Sequence, residues 1–177
     1  MVIVLTLNSN MTQSSIQRNL DVISEQTAEH TLKILEYDLY KIGYRTAGNA
    51  LVKAESLAII FKADLDDNGI EDSVQYSVGT TKQLPSSSNK NDRPLFRQVN
   101  YEPSRNIAMG LVQCLLSYYD VAGKQIPYDT LKVPAGRAKV RTIGLTLKVE
   151  PTESIGDPKE NSVTIRKIIR PKNINGW

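Results

Sequence analysis

Leu32-Lys33-Ile34-Leu35-Glu36-Tyr37-Asp38-Leu39-Tyr40-Lys41-Ile42-Gly43-Tyr44 is the stretch that decides the fold. Leu35, Leu39 and Ile42 recur at four- and three-residue steps, the spacing of one face of an α-helix. Followed backwards, that face takes in Ile34, Thr27, Ile23, Leu20 and Ile16. Gln17, Arg18, Asn19, Ser24, Glu25, Gln26, Glu29, Lys33 and Glu36 read as polar and outward. No Gly or Pro interrupts residues 1–42, and Gly43 is a C-terminal stop signal. The spacing predicts one helix over residues 2–42, roughly 60 Å long at ~1.5 Å per residue. Leu32, Leu35, Leu39 and Ile42 should pack on a sheet. Two shorter helices broken at Asn8-Ser9-Asn10 are the alternative.

Such a helix is longer than the remaining chain can cover. Its N-terminal half is expected to expose apolar surface, or to bury it on other subunits or lipid. Residues 1–7, Met-Val-Ile-Val-Leu-Thr-Leu, form an apolar tip too short to span a bilayer. They read either as the last turns of a spanning segment that begins upstream or as an apolar helix start that frays.

The 177 residues are 40% hydrophobic and 23% charged, an ordinary globular balance that excludes wholesale disorder. The expected organisation is a helix over 1–44 and a globular β-domain over 45–177, an α+β fold. A net charge of +3 is too small a basic excess to imply nucleic acid. The single cysteine, Cys114, precludes an internal disulfide and sits in an apolar run, where a buried inert thiol is expected. His30 has no partner motif. No nucleophile elbow, Cys–His arrangement or Gly-rich phosphate loop is recognisable, so the chain does not read as an enzyme.

After Gly48 the pattern becomes strand-like. Strands are expected at 56–63, 73–78, 94–100, 111–119, 138–150 and 162–170, with a short helical turn at 106–110. Residues 80–94 and 151–161 read as mobile surface loops, and 125–136 as a further loop. The absence of β-α-β alternation predicts one antiparallel sheet. Of Tyr118 and Tyr119, one should be core and the other surface. Arg166, Lys167, Arg170 and Lys172 read as charges guarding an edge strand.

The sharpest chemical candidate is the acidic stretch 64–72. Asp64, Asp66 and Asn68 at alternate positions, followed by Gly69, match the first half of a calcium loop. Asp72 falls where a further, often water-mediated, ligand would lie, and Gln75 stands where a bidentate Glu is expected. The other reading is a metal-free β-hairpin whose Asp and Asn residues serve the turn.

Taken in order, these segments resemble type IV pilin-like proteins, most closely PilW-type minor pilins and the J-type pseudopilins of type II secretion. The matching features are the helix end with Asp38 before Gly43-Tyr44, then Asp64, Asp66, Asn68 and Gly69 ahead of Val74-Gln75-Tyr76. They continue with Leu95-Phe96-Arg97, then Ile107, Ala108, Gly110, Leu111 and Val112 leading to Tyr118-Tyr119-Asp120. Val140, Ile143, Leu145 and Leu147 close the series. The resemblance implies a long helix packed on an antiparallel sheet, in a structural subunit that assembles through that helix with other pilin or pseudopilin subunits. It implies a cell-envelope location, anchored in the inner membrane and facing the periplasm or built into an extracellular filament, with no cofactor required. A secreted or periplasmic calcium-dependent binding module is the alternative.

Overall fold

The computed structural model describes residues 2–151 and 162–174, with side chains from Ser14 onward except Gln17. The side chains of the apolar tip, and the loop expected at 151–161 beyond Pro151, lie outside the described residues. Helix α1 runs from Val2–Tyr40 without a break at Asn8-Ser9-Asn10. It ends in turns through Arg45. Gly43 takes φ +79° there, and a Cβ on it would sit 1.8 Å from the carbonyl oxygen of Asn173. Its N–H donates to the Lys62 carbonyl at 2.9 Å. Glycine is thus needed twice over, for its backbone angle and for the close approach of the C-terminal segment.

The strands form two antiparallel sheets where one was expected. The first holds β1 (Leu51–Ala54), β2 (Ala58–Ala63), β3 (Asp72–Val78), β4 (Leu95–Val99) and β5 (Arg105–Asn106), in chain order. The second holds β6 (Leu111–Tyr119), β7 (Thr142–Val149) and β8 (Val163–Ile169). The division falls at Gly110, whose φ of +67° turns the chain out of the two-residue β5. The helical turn expected at 106–110 is therefore partly strand and partly this turn. β1 was not anticipated, and Ser56 and Leu57 lie in the β1–β2 turn rather than in a strand. Single-turn helices α2 (Tyr128–Leu131) and α3 (Pro134–Arg137) occupy the expected loop 125–136. The segment 80–94 is anchored rather than loose: Asn89 and Asp92 are buried.

Alternation along β6 and β7 sets the core face. Cys114, Leu116, Tyr118, Ile143, Leu145, Leu147 and Val149 are buried, and they join Ile59, Phe61, Val74 and Tyr76 of the first sheet in one continuous cluster. Tyr118 is core and Tyr119 half-buried. α1 packs on β7 and β8, with Leu35, Leu39 and Ile42 buried and Leu32 packed beside them. Towards the N-terminus the buried line is not the apolar one. Ser24, Ala28 and Thr31 are buried, whereas Ile16 and Ile23 are exposed. Ser24, expected outward, is thus an inward residue. Small side chains let the helix lie close along this line, and the large apolar ones are left on its outer side.

One buried polar network keys the helix to the first sheet. Asp38 is 1% exposed on the core side of α1. The Tyr76 hydroxyl donates to its Oδ2 at 2.6 Å, and the Arg97 Nε donates to the same oxygen at 2.7 Å. Arg97 Nε also reaches the Tyr76 oxygen at 3.1 Å. A carboxylate this deep is tolerable only when paired and hydrogen-bonded. Removing it strands Arg97, so Asp38→Ala is expected to cost about 3 kcal/mol. Tyr76→Phe should cost about 1.5–3 kcal/mol, the range for a hydrogen bond to a charged group. Because the two act on one oxygen, the double variant should cost less than the sum of the single ones. Urea denaturation of the three variants checks this, and strict additivity would contradict a shared network.

Candidate functional site

The β2–β3 hairpin carries the acidic loop. Register pairs from Ala58 with Ser77 to Ala63 with Asp72 hold its two strands. The root is bonded to the helix exit: Asp64 N–H donates to the Tyr44 carbonyl at 2.9 Å, and Lys41 Nζ donates to the Leu65 carbonyl at 2.6 Å. Asp67 takes a left-handed φ of +63° and Gly69 one of +84°, which folds the loop back over its first residue.

Three of the four expected metal ligands converge. Asp64, Asp66 and Asp72 each offer a carboxylate oxygen, all within 4.8 Å of one another. Asp64 is fully buried, Asp72 half-buried and Asp66 exposed. Asp64 Oδ2 accepts from the Gly69 N–H at 3.0 Å and from Arg45 Nη1 at 3.2 Å. Its Oδ1 is buried and has no donor among the described residues. Asp66 takes the Asn68 amide groups, and Asp72 takes the Leu65 N–H at 3.0 Å and Asn100 Nδ2 at 2.7 Å. Burial alone would push the Asp64 carboxyl up, but Arg45 and the Gly69 N–H outweigh it and hold it below the usual carboxylate range.

The fourth expected ligand, Asn68, does not join, and Gln75 cannot stand in for the missing Glu. Asn68 Oδ1 accepts the Ile70 N–H at 2.7 Å, and its Nδ2 donates to Asp66 at 2.9 Å. The amide oxygen that would ligate is committed to the turn. Gln75 lies inside β3, opposite Ile60 and Gln98. Three residues on from Asp72 in a strand is the opposite face of the sheet, so no side chain at 75 can complete the set. The cations nearby are Arg45, which also reaches the Asp67 carbonyl at 3.4 Å, Lys41, 3.5 Å from Asp67, and Lys62, paired with Glu71 at 2.6 Å.

Sequence reasoning missed a second acidic cluster. Glu150 ties the 80–94 segment to the end of β7, and Asp92 is buried within that segment; both are 2% exposed. Asn89 Nδ2 and Asn91 Nδ2 donate to Glu150 Oε2 at 3.1 and 3.3 Å, and Lys148 pairs with Oε1 at 2.8 Å. Ser87 donates to Asp92 Oδ2, while Asp92 Oδ1 has no donor among the described residues. The Asn-Lys-Asn-Asp run from Asn89 was the available signal, but it reads equally as a polar loop. Elsewhere, His30 is exposed and lines a groove with Ile23, Thr31, Ile34 and Met109. Arg166 and Lys167 stand on β8, an edge strand of its sheet, and Lys167 pairs with Glu36 of α1 at 2.8 Å.

Among the described residues no helix is long and apolar enough to cross a membrane. No protein-family model matches the chain, and no curated protein matches it.

The second cluster generates a pH prediction. Burial pushes the Asp92 carboxyl up, the Glu150 charge pushes it further, and the Ser87 bond only partly offsets them. A carboxyl raised in the fold stabilises it fully at low pH and loses that contribution as pH rises through the raised value. At neutral pH Asp92 is thus a buried charge that the fold disfavours. Asp92→Asn is expected to raise the melting temperature at pH 7, with the gain shrinking towards zero below the ordinary carboxylate range. Melting curves of both proteins across that span test it. A variant less stable than the parent at pH 7 would show that the charge itself holds the segment.

Proposed function

We propose that this chain is a structural subunit of a type IV pilus or type II secretion filament, a minor pilin or pseudopilin that assembles through its N-terminal helix. The observation that carries the reading is the division of α1 into two halves. Leu35, Leu39 and Ile42 are sealed in the core, whereas Ile16, Val22 and Ile23 are exposed at 38%, 49% and 56%. A helix whose first half leaves its own domain with large apolar side chains uncovered needs another surface. Ile23 also borders a groove of about 510 Å³ with Ile34, Ile107 and Met109. The meeting of Asp38, Tyr76 and Arg97 adds support, since each belongs to a different segment of the pilin-like resemblance and all three act as one network.

On this reading the partners are other subunits of the same kind, packed helix to helix, and the inner membrane if the apolar tip continues a longer anchor. The chain then belongs to the cell envelope and works by packing, without catalysis. A second reading, a secreted or periplasmic calcium-dependent binding module, is favoured by the convergence of Asp64, Asp66 and Asp72.

Disulfide trapping tests the assembly. Cys114 is buried and its thiol is pushed up to about 12 by burial, so it does not compete with introduced cysteines. Ile16→Cys and Val22→Cys are expected to give cross-linked oligomers on mild oxidation. The exposed domain position Glu102→Cys should remain monomeric under the same conditions. Monomers alone from both helix variants, at every protein concentration, would refute helix-mediated assembly.

A further inference from the structure

We propose that the loop 64–72 is a calcium site in which Asp64, Asp66 and Asp72 supply the protein ligands, and that the bound ion stiffens the junction between helix α1 and the β-domain. Two independent observations point to a ligand. The first is geometric. Oxygens that share one calcium ion at 2.3–2.6 Å can lie no more than about 5 Å apart, and one oxygen from each of the three carboxylates meets that limit, all within 4.8 Å. The second is the state of Asp64. Its side chain is fully buried, yet Oδ1 has no donor among the described residues. Arg45 and the Gly69 N–H keep the carboxyl ionised through Oδ2, which leaves the solvent-shielded Oδ1 as the oxygen whose lone pairs a cation would satisfy. Since Oδ2 already serves Arg45 and Gly69, Oδ1 is the oxygen free to ligate.

The chemistry of the donors selects the ion. All three are hard carboxylate oxygens. His30 lies on α1 beside a different groove, and Cys114 is buried in β6, so neither softens the set. Magnesium demands near-ideal octahedral geometry and sheds its waters reluctantly, whereas calcium accepts irregular shells that combine carboxylates with water. Exposed Asp66 is the entrance, and half-buried Asp72 keeps uncommitted lone pairs beside its bonds to Leu65 and Asn100. Arg45 is a competitor. Its guanidinium sits on Asp64 Oδ2 with its side chain half exposed, so it can swing into solvent when an ion enters. With Asn68 and Gln75 unable to ligate directly, affinity should fall in the weak range of extracellular modules, ~10⁻⁴ to 10⁻³ M.

The mechanical consequence follows from the loop's root. Asp64 N–H is bonded to Tyr44, Gly43 N–H to Lys62, and Lys41 to Leu65. Fixing the loop therefore fixes the helix exit. This holds whether or not the helix assembles with other subunits, since it rests on the hairpin alone.

The test is calorimetric titration of the full chain with calcium chloride, and in parallel with magnesium chloride, after removal of metal with chelator. Hydrogen exchange is read with and without calcium. One calcium per chain is expected, with weaker magnesium binding and slowed exchange both in 64–72 and in 43–46. Asp66 is exposed and bonds only to Asn68 among the described residues, so Asp66→Asn should stay folded and bind at least tenfold more weakly. Arg45→Gln should bind more tightly than the parent. Absence of binding up to about 10 mM calcium, ten times the weak limit, would overturn the site. So would binding that Asp66→Asn leaves unchanged. Slowed exchange confined to 64–72 would overturn the stiffening of the junction.

Discussion

The carboxylate of Asp38 is the constraint on which the rest of the arrangement turns. It sits inside the core, on a helix that would otherwise be free to slide or rotate along an apolar sheet. Apolar contacts are non-directional and tolerate such slippage. A buried charge does not, because only one position satisfies it. Tyr76 and Arg97 reach Asp38 from adjacent strands of the first sheet, paired directly opposite each other across β3 and β4. The helix packs at the same time on β7 and β8 of the second sheet. One oxygen atom therefore fixes the angle at which α1 crosses two sheets that share no strand pairing.

Gly43 completes that arrangement at the helix exit. The chain leaves α1 through a left-handed turn against Asn173, so the beginning and end of the described β-domain close on each other. The acidic hairpin starts at this closure. Its chemistry is thus next to a place where the helix exit, the first sheet and the C-terminal segment meet. The second acidic cluster, around Glu150, anchors the polar 80–94 segment to the end of β7.

Much of the fold could be read from the chain where burial is one-sided. β6 alternates from Cys114 onward and β7 from Leu145 onward because one face is core and the other is not, and the β2–β3 hairpin announces itself by its turn residues. Elements of one turn or four residues, such as β1, α2 and α3, are too short for any period to register. The inward face of α1 was misread near Ser24 for a different reason: close packing there selects size, and hydrophobicity is the wrong index. The pairing of Asp38 with Arg97 spans 59 positions and leaves no local signal. At the acidic loop, spacing alone located Asp64, Asp66 and Asp72. The strand expected at 73–78 is present and turns Gln75 to the far face, a consequence the calcium-loop spacing ignores, and spacing carries no sign that Asn68 spends its carbonyl on Ile70.

The pairing of the first element with the last two has a kinetic side. α1 precedes every described strand, yet β7 and β8, the strands it lies on, are the last two of them. Until they emerge, Leu35, Leu39 and Ile42 have no seat, and Asp38 has no partner until Tyr76 and Arg97 arrive. Closing a loop that encloses nearly the whole domain carries an entropic cost that only the finished sheets can offset. Docking of α1 on β7 and β8 therefore depends on strands that follow it far along the chain, and its inward face has no cover until they are in place.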